Sequence, residues 1–417
     1  MVKGLSFLPA TLIIVFLLTA LPVLAQMEGP YNGGIKLGPL KIRPFVGVME
    51  TYSDNIYQNY DGKEDESDYL ATFSPGIQFL LPLRQHRFQL GYRADINKFN
   101  DFPENDYTNQ HAEGELNLDF PGGLIFNISD YYSNSEIPRK WKKQPGVLKE
   151  DDPYREKPYK ANDLNVQTKY NVVGRWSVGL RYNNYDYGYS ENYDKSGDYK
   201  RNLYGGSIYY RLTLKTEALL EYNYSDVNYK TNNDYDNKNH TAYAGIGFDP
   251  TAKVSGYLKL GGVRKKYEKK YENTINKKDD TFDEFSTLVD LDYKISPYNV
   301  LTLKMYRAID EDVDTNSPLI KSEASLRWQH ILGWNEKISL NANFGYGKDK
   351  YEEKSINVDG KAEEREDDRL YGGAGIDYAI QRYLTFGLNY TYIDNDSNFK
   401  KHDYIENRGS LKAVVAF

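Results

Sequence analysis

A cluster of basic and aromatic side chains stands out in the longest polar segment of the chain. Trp141 is flanked by Arg139, Lys140, Lys142 and Lys143 in the segment IPRKWKKQPGVLKEDDPYREK. An indole ring can stack on a sugar, and guanidinium and ammonium groups can hydrogen-bond its hydroxyls or attract an anionic polymer. The cluster therefore predicts either a carbohydrate- or polyanion-binding segment that narrows a pore, or a solvated loop that binds nothing.

Charged residues of both signs recur at alternating positions elsewhere in the chain. A pore selective for ions of one sign would carry a ring of one charge. The mixture instead indicates neutral polar solutes or a sugar chain, or else ion pairs that brace a wall. The candidates for this polar lining are Arg93, Arg181, Arg211, Lys259, Asp290, Asp292, Glu323 and Arg327.

Residues suited to catalysis or metal binding are sparse. The chain has 5 His and no Cys, and no two histidines lie two or four positions apart. The lack of cysteine excludes disulfides, thiolate chemistry and iron–sulfur ligation through Cys. We therefore expect no enzymatic activity, no cofactor and no metal site. The formal net charge of -7 also argues against nucleic acid as a partner.

The elements that must position these residues are short segments of alternating polarity. Units of about ten alternating residues are separated by tight turns or by longer polar loops, in the manner of transmembrane β-barrels. About 18 strands (16–18) are predicted, and an even number returns both termini to the periplasm. The predicted strands are 43–52, 69–82, 87–98, 107–120, 124–133, 160–172, 175–187, 199–212, 216–229, 239–249, 254–267, 282–295, 299–310, 319–332, 336–351, 366–380, 383–394 and 404–417.

This pattern predicts an all-β fold, a transmembrane antiparallel up-and-down β-barrel. In such a barrel every second residue faces a polar lumen, so a mean hydropathy of -0.73 is compatible with a membrane protein. The 40 tyrosines suit the aromatic girdles at the two membrane interfaces. In strand 336–351 the period of two places Leu340 on the lipid face and Asn341 on the lumen face.

The first residues resemble a secretory signal peptide. Met1 and Lys3 precede the apolar run 12–21, and Val23-Leu24-Ala25 supplies a cleavage site before Gln26. We expect residues 1–25 to be removed, residues 26–42 to form a short periplasmic segment and residues 43–417 to form the barrel. The expected location is the outer membrane of a Gram-negative-type envelope, in contact with outer-membrane lipid and lipopolysaccharide.

The last strand also carries a recognisable pattern. Leu411, Ala413, Val415 and Phe417 share one face of an alternating segment that ends in an aromatic residue. This arrangement resembles the final strand of bacterial outer-membrane barrels, which serves as a signal for the barrel assembly machinery. The resemblance implies that this machinery is a partner of the chain.

Three motifs near the start of the predicted barrel identify a resemblance to a family. The segments are Tyr52-x-Asp54-Asn55, Ser74-Pro75-Gly76 and Gly91-Tyr92-Arg93. They are similar to the opening of the putative β-barrel porin 2 family, and the similarity of layout extends over nearly the whole mature chain. The resemblance implies an outer-membrane exit for an exopolysaccharide or capsular polymer, with periplasmic polysaccharide-export components as partners. A general diffusion porin and a structural or adhesive surface barrel are the alternatives.

Overall fold

A computed structural model shows one closed antiparallel β-barrel. It describes residues 34–59, 65–137, 157–190, 195–231, 233–249, 251–268, 272–273, 276–277, 281–311, 318–333, 336–356 and 361–417. The main sheet contains 19 strands, of which 18 form the barrel wall. Each wall strand pairs antiparallel with the next along the chain, and the last strand pairs with the first. The barrel therefore has no free edge.

The wall strands differ in length, and several extend beyond their neighbours at one end. Their bounds are β1 Leu40–Ser53, β2 Asp68–Leu83, β3 His86–Phe99, β4 Tyr107–Phe120, β5 Leu124–Ile137, β6 Lys157–Val173, β7 Trp176–Tyr189, β8 Tyr199–Arg211, β9 Thr216–Tyr229, β10 Asn237–Phe248, β11 Val254–Tyr267, β12 Thr281–Ser296, β13 Asn299–Glu311, β14 Pro318–Ile331, β15 Ile338–Ile356, β16 Ala362–Gln381, β17 Leu384–Ser397 and β18 Tyr404–Ala416.

Smaller elements flank the wall. The strand Ile35–Leu37 folds back on the start of β1, and a two-residue hairpin joins Glu272–Asn273 to Asn276–Lys277. The helices of the described residues are single 3-10 turns, Pro103–Asn105, Lys195–Gly197, Asn233–Tyr235 and Lys400–His402. None of the described helices has the length and apolar character needed to cross a membrane.

The predicted barrel and its strand number of 18 are confirmed, and most strand ends agree within a few residues. The largest differences are at β15 and β16, which extend to Ile356 and start at Ala362. An ion pair joins the two strands where the extension begins, with Lys350 Nζ 3.4 Å from Glu364. Because residues 352–356 and 362–365 are mainly charged, they show no apolar alternation, and the prediction ended β15 too early and began β16 too late.

The outer face of the wall carries an apolar band. In β7, Trp176 is 53% exposed and Leu180 is 67% exposed, whereas Ser177 between them is buried and faces inward. The same alternation exposes Phe344 in β15 and Leu388 in β17. Exposed apolar side chains at every second position on most strands give the wall a lipid-facing surface.

Two rows of aromatic residues border this band. The row at the end with short turns includes Phe120, Tyr170, Trp176, Tyr293, Tyr378, Tyr383 and Phe417. The row towards the long loops includes Tyr52, Tyr69, Tyr92, Tyr132, Tyr204, Tyr222, Tyr346 and Tyr390. Amphipathic rings at both borders of an apolar band are the girdles expected at membrane interfaces.

A hydrogen bond from the long-loop girdle is repeated around the wall. In each case the tyrosine hydroxyl reaches a polar side chain on the next strand, two positions from its direct cross-strand partner. The pairs are Tyr92 and Gln110 (3.3 Å), Tyr182 and Asn202 (3.0 Å), Tyr222 and His240 (2.6 Å), Tyr390 and Asn407 (2.6 Å), and Tyr346 and Asp368. The bond ties the two strands of a hairpin together where they leave the membrane.

Four of these hairpins also share the same loop closure. After the 3-10 turn, an aspartate carboxylate accepts a hydrogen bond from the backbone N–H at the end of the preceding strand. The pairs are Asp106 and Phe99 (2.8 Å), Asp198 and Tyr189 (2.8 Å), Asp236 and Tyr229 (2.7 Å), and Asp403 and Ser397 (2.6 Å). The girdle tyrosine lies at the same distance before the capped residue in all four: 92 and 99, 182 and 189, 222 and 229, 390 and 397.

The seam between β1 and β18 closes the barrel. Its backbone pairing runs from Phe45 opposite Ala416 to Ser53 opposite Arg408. Beyond this ladder, the Asp54 carboxylate accepts hydrogen bonds from the backbone N–H and from the side-chain Nδ2 of Asn407, both at 2.7 Å.

Further side-chain bonds reinforce the seam at the long-loop end. Asn55 Nδ2 donates to the carbonyl of Ile405 at 3.1 Å, and Ser53 Oγ donates to Glu406 Oε1 at 2.7 Å. Glu406 is 1% exposed and also accepts two hydrogen bonds from Arg408. The predicted Asp54-Asn55 motif therefore joins the two ends of the sheet.

Opposite faces of β15 provide a test of the register. We expect Leu340→Arg to impair assembly, because a charge on the lipid face costs about 2–4 kcal/mol at mid-membrane. Asn341→Arg, one residue away on the lumen face, should assemble normally. Heat-modifiable migration in detergent gels measures folded barrel. Loss of folded barrel in N341R but not in L340R would show that the register is shifted by one residue.

A second prediction concerns the seam. We expect Asp54→Ala and Asn407→Ala each to lower the unfolding temperature of the barrel in a heat-modifiability series. Each lost charge-assisted hydrogen bond contributes about 1.5–3 kcal/mol. The double variant should lose less than the sum of the two, because the residues bond to each other. Asp396→Ala, on the exposed outer end of β17, is the control. Strict additivity of the two losses would show that the hydrogen bonds between Asp54 and Asn407 do not stabilise the seam.

Candidate functional site

The inner face of the barrel carries ion pairs, and tyrosine rings lie beside their lysines. Lys169 on β6 lies 2.6 Å from Glu217 on β9, and its Nζ is 4.1 Å from the centre of the Tyr209 ring. On β11, Lys259 lies 2.7 Å from Glu221 of β9. These pairs span non-adjacent strands, so each one braces the wall and also lowers the net charge that faces the lumen.

Other predicted lumen residues form ion pairs within one strand or between neighbouring strands. Arg93 lies 3.0 Å from Asp95, and Asp290 lies 3.4 Å from Lys304 on β13. Asp292 accepts a hydrogen bond from Thr302 Oγ1 at 2.6 Å.

The remaining candidates have weaker contacts. Glu323 accepts a hydrogen bond from the Tyr371 hydroxyl at 2.7 Å, and Arg327 interacts electrostatically with Asp377. Arg181 donates to Asn165 at 3.5 Å. Arg211 lies at the turn end of β8, where it is exposed. By the alternation of their strands, all eight predicted lining residues lie on the inner face.

Tyrosines of the inner face form a cluster that was not predicted, because the tyrosines were assigned only to the girdles. Tyr159, Tyr187, Tyr199 and Tyr229, on β6 to β9, are buried at the long-loop end. The Tyr187 and Tyr199 ring centres are 5.9 Å apart. The sequence contains a signal for this cluster, because these tyrosines lie on the polar side of their alternating strands. A girdle tyrosine lies on the apolar side.

The family-like motifs near the chain start are structural. Gly76 leaves room for the buried Phe45 ring, since a Cβ at this position would come within 2.2 Å of it. Tyr92 belongs to the girdle and Arg93 to a lumen ion pair.

The structure describes the predicted assembly signal but not the predicted basic cluster. Leu411 and Phe417 are exposed on the outer face, and the Phe417 ring stacks on Tyr383 with the ring centres 6.5 Å apart. Recognition of this strand by the assembly machinery stays a prediction. Arg139, Lys140, Trp141, Lys142 and Lys143, like the predicted signal peptide, lie outside the described residues.

The geometry supports a conduit. Within the described part of the chain, no group of three His, Cys, Asp or Glu side chains is arranged to hold a metal ion. A closed wall with a lipid-facing band, two aromatic girdles and a charged inner face defines a porin-type β-barrel channel of the outer membrane.

The comparisons with known proteins agree with this class. The family model described as putative beta-barrel porin 2 matches residues 30–417, and the chain belongs to this family. No curated protein matches the chain.

Solved outer-membrane proteins are similar to the chain at low sequence identity. OccK2 (OpdF) of Pseudomonas aeruginosa is 11% identical, with 92% of this chain and 100% of that chain covered and a TM-score of 0.45. A BenF-like porin of Pseudomonas fluorescens Pf-5 is 10% identical, with 90% and 99% covered and a TM-score of 0.44.

The lumen ion pairs generate a third prediction. Glu221→Gln should leave Lys259 without its carboxylate partner and shift the reversal potential in a salt gradient towards anion selectivity. Asp283→Asn is the matched control, because Asp283 forms an ion pair with Arg264 on the exposed outer face of β11 and β12. An unchanged reversal potential in E221Q would mean that the conducting path bypasses this pair.

Proposed function

We propose that the barrel is a passive channel for neutral, hydroxyl-rich solutes, with carbohydrates as the chemical class. The observation that carries this proposal is the pairing of lumen charges, as in Lys259 with Glu221 and Lys169 with Glu217. A lining with its charges neutralised in pairs attracts neither ion sign strongly, and it offers hydroxyls both donors and acceptors.

Tyrosine rings along the same face support a carbohydrate rather than another neutral solute. Tyr209 and Tyr257 lie beside the two lysines, with Lys259 Nζ 4.8 Å from the Tyr257 ring centre. Aromatic faces stack on the C–H surfaces of sugar rings while their hydroxyls bond to the solute, so a row of tyrosines favours sugars over equally polar amides.

Exit of an exopolysaccharide is the second candidate. It is favoured by the length of the row of inner-face tyrosines along the barrel axis. The row continues from Tyr209 near the turns to the buried cluster around Tyr187 at the long-loop end. A polymer would contact such a row over several sugar units at once. This version of the function requires periplasmic polysaccharide-export components and a chain that enters from the turn end.

Proteoliposome swelling separates these functions. We expect uncharged mono- and disaccharides to enter liposomes that contain heat-modifiable barrel, and solutes of equal size but opposite charge to enter at similar rates. Release of an entrapped neutral polysaccharide would favour the exporter. Failure of every solute to enter would contradict a channel and favour a surface scaffold. Liposomes with the misassembled L340R variant are the control for leakage.

A further inference from the structure

Two glycines on the inner face of β15 leave one part of the wall without side chains of its own. Gly345 and Gly347 face the lumen, because Tyr346 between them is exposed on the outer face. Glu323 on β14 and Arg369 on β16 lie directly opposite Gly347, one on each side of it. Since Tyr346 belongs to the long-loop girdle, this part of the inner wall lies at the level of that girdle.

The side chain of Tyr371 on β16 lies across Gly345. A Cβ at Gly345 would come within 2.1 Å of the Tyr371 ring, so the ring occupies the space that a side chain would fill. The Tyr371 hydroxyl donates to Glu323 Oε1 at 2.7 Å, on the far side of β15. The ring is partly exposed. Because a ring that spans a glycine rests one face on the backbone, Tyr371 directs its other face towards the lumen.

Arg369 lies over Gly347 in a similar way. A Cβ at Gly347 would lie 3.1 Å from Arg369 Nη2. This Nη2 is 3.9 Å from Glu323 Oε2, and Nη1 is 4.0 Å from Asp349 Oδ2. Both distances exceed that of a hydrogen bond, and Nη2 has no hydrogen-bond partner among the residues that the structure describes. The side chains of Arg369 and Glu323 are 12% and 15% exposed, so both reach the edge of the lumen.

This spacing differs from that of the other lumen ion pairs. Lys169 and Lys259 approach their carboxylates at 2.6 and 2.7 Å. Arg369 instead lies between two carboxylates and bonds to neither. A hydroxyl oxygen about 2.8 Å from each of two atoms spans a gap of about 4 Å, because it accepts from the guanidinium and donates to the carboxylate. The two gaps therefore have the width that hydroxyl groups of a solute require.

The charges around this guanidinium balance one another. Lys321 on β14 lies directly opposite Asp349 and is 2% exposed, and its Nζ has no hydrogen-bond partner in the described part of the chain. Asp367, on the other side of Asp349, pairs with Arg365. Together with Arg369 and its two carboxylates, three cations face three anions. The local charge therefore favours a neutral solute over either ion sign.

We propose that Tyr371, Arg369 and Glu323 form a binding subsite for a sugar ring on the inner wall. The apolar face of the sugar stacks on the Tyr371 ring, and adjacent hydroxyls bridge the Arg369 guanidinium to Glu323 and to Asp349. The subsite rests on the proposed channel function, and it assigns to these residues the place where the carbohydrate is held during passage.

Single-channel recording of the full-length barrel tests the subsite, with maltose as the probe. We expect maltose to interrupt the wild-type current reversibly. Arg369→Gln should weaken the apparent maltose affinity about tenfold, the scale of a lost hydrogen bond to a charged group, and Arg369→Lys should recover part of it. Arg264→Gln, on the exposed outer face, is the matched control. An unchanged affinity in R369Q, or an equal loss in R264Q, would overturn the subsite.

A second variant moves the aromatic ring and leaves every polar group in place. Gly345→Ala puts a Cβ where the end of the Tyr371 ring lies, so the ring must leave its position. We expect the apparent maltose affinity to fall about fivefold, the scale of a lost aromatic contact. Gly206→Ala is the control, because a Cβ there meets no atom within 4 Å. Tyr371→Leu should show the same loss and replaces G345A if that variant does not give heat-modifiable barrel.

Saturation-transfer NMR on the detergent-solubilised barrel measures maltose binding without conduction, and it separates the subsite from the channel function. If the wild type admits sugars but does not bind maltose, or binds it no better than R369Q and Y371L do, the channel stands and the subsite is wrong. If the wild type binds maltose, the variants do not and no solute crosses, the subsite stands and the channel fails. Neither binding nor sugar entry in the wild type would overturn both.

Discussion

Closure of the sheet between β1 and β18 is the constraint on which the rest of the structure depends. A wall strand in a membrane has no water to satisfy its backbone, so an unclosed edge would leave a row of unpaired N–H and C=O groups in lipid. The ladder from Phe45 to Ser53 satisfies these groups, and Asp54 and Asn55 extend the connection beyond the membrane. Once the ring is closed, the alternation of each strand determines which side chains meet lipid and which meet the lumen.

The sequence predicted the parts of the fold that follow directly from this alternation. In a closed wall, a period of two with Leu340 and Phe344 on one side and Asn341 on the other fits only one orientation, with the apolar side chains towards lipid. The number of strands and their register could therefore be predicted from the sequence. The ends of β15 and β16 could not, because the residues beyond the predicted ends, 352–356 and 362–365, are mainly charged and have no apolar alternation. Where burial in lipid no longer selects residues, the periodic signal disappears.

Only the general arrangement of the lumen could be predicted from the sequence. Alternation identified Arg93, Lys259 and Asp290 as inward-facing, but it could not predict that Lys259 reaches Glu221 across an intervening strand. Such contacts depend on the tilt of the strands and on the curvature of the wall, and also on close approaches of neighbouring strands at single glycines such as Gly261. These properties belong to the closed ring as a whole and leave no local pattern in any one strand.

The four hairpins with a girdle tyrosine and an aspartate-capped loop have a consequence for how such a wall can change size. Each hairpin caps the end of its own first strand through Asp106, Asp198, Asp236 or Asp403. The loop backbones also bond to neighbouring strands, as where the backbone N–H of Asp101 donates to the Asp68 carboxylate. Gene duplication of one hairpin would copy this cap together with its two strands and widen the circumference by two strands, with parity preserved. The repeated spacing of the girdle tyrosine and the residue that the aspartate caps is what a barrel enlarged by such duplications would retain.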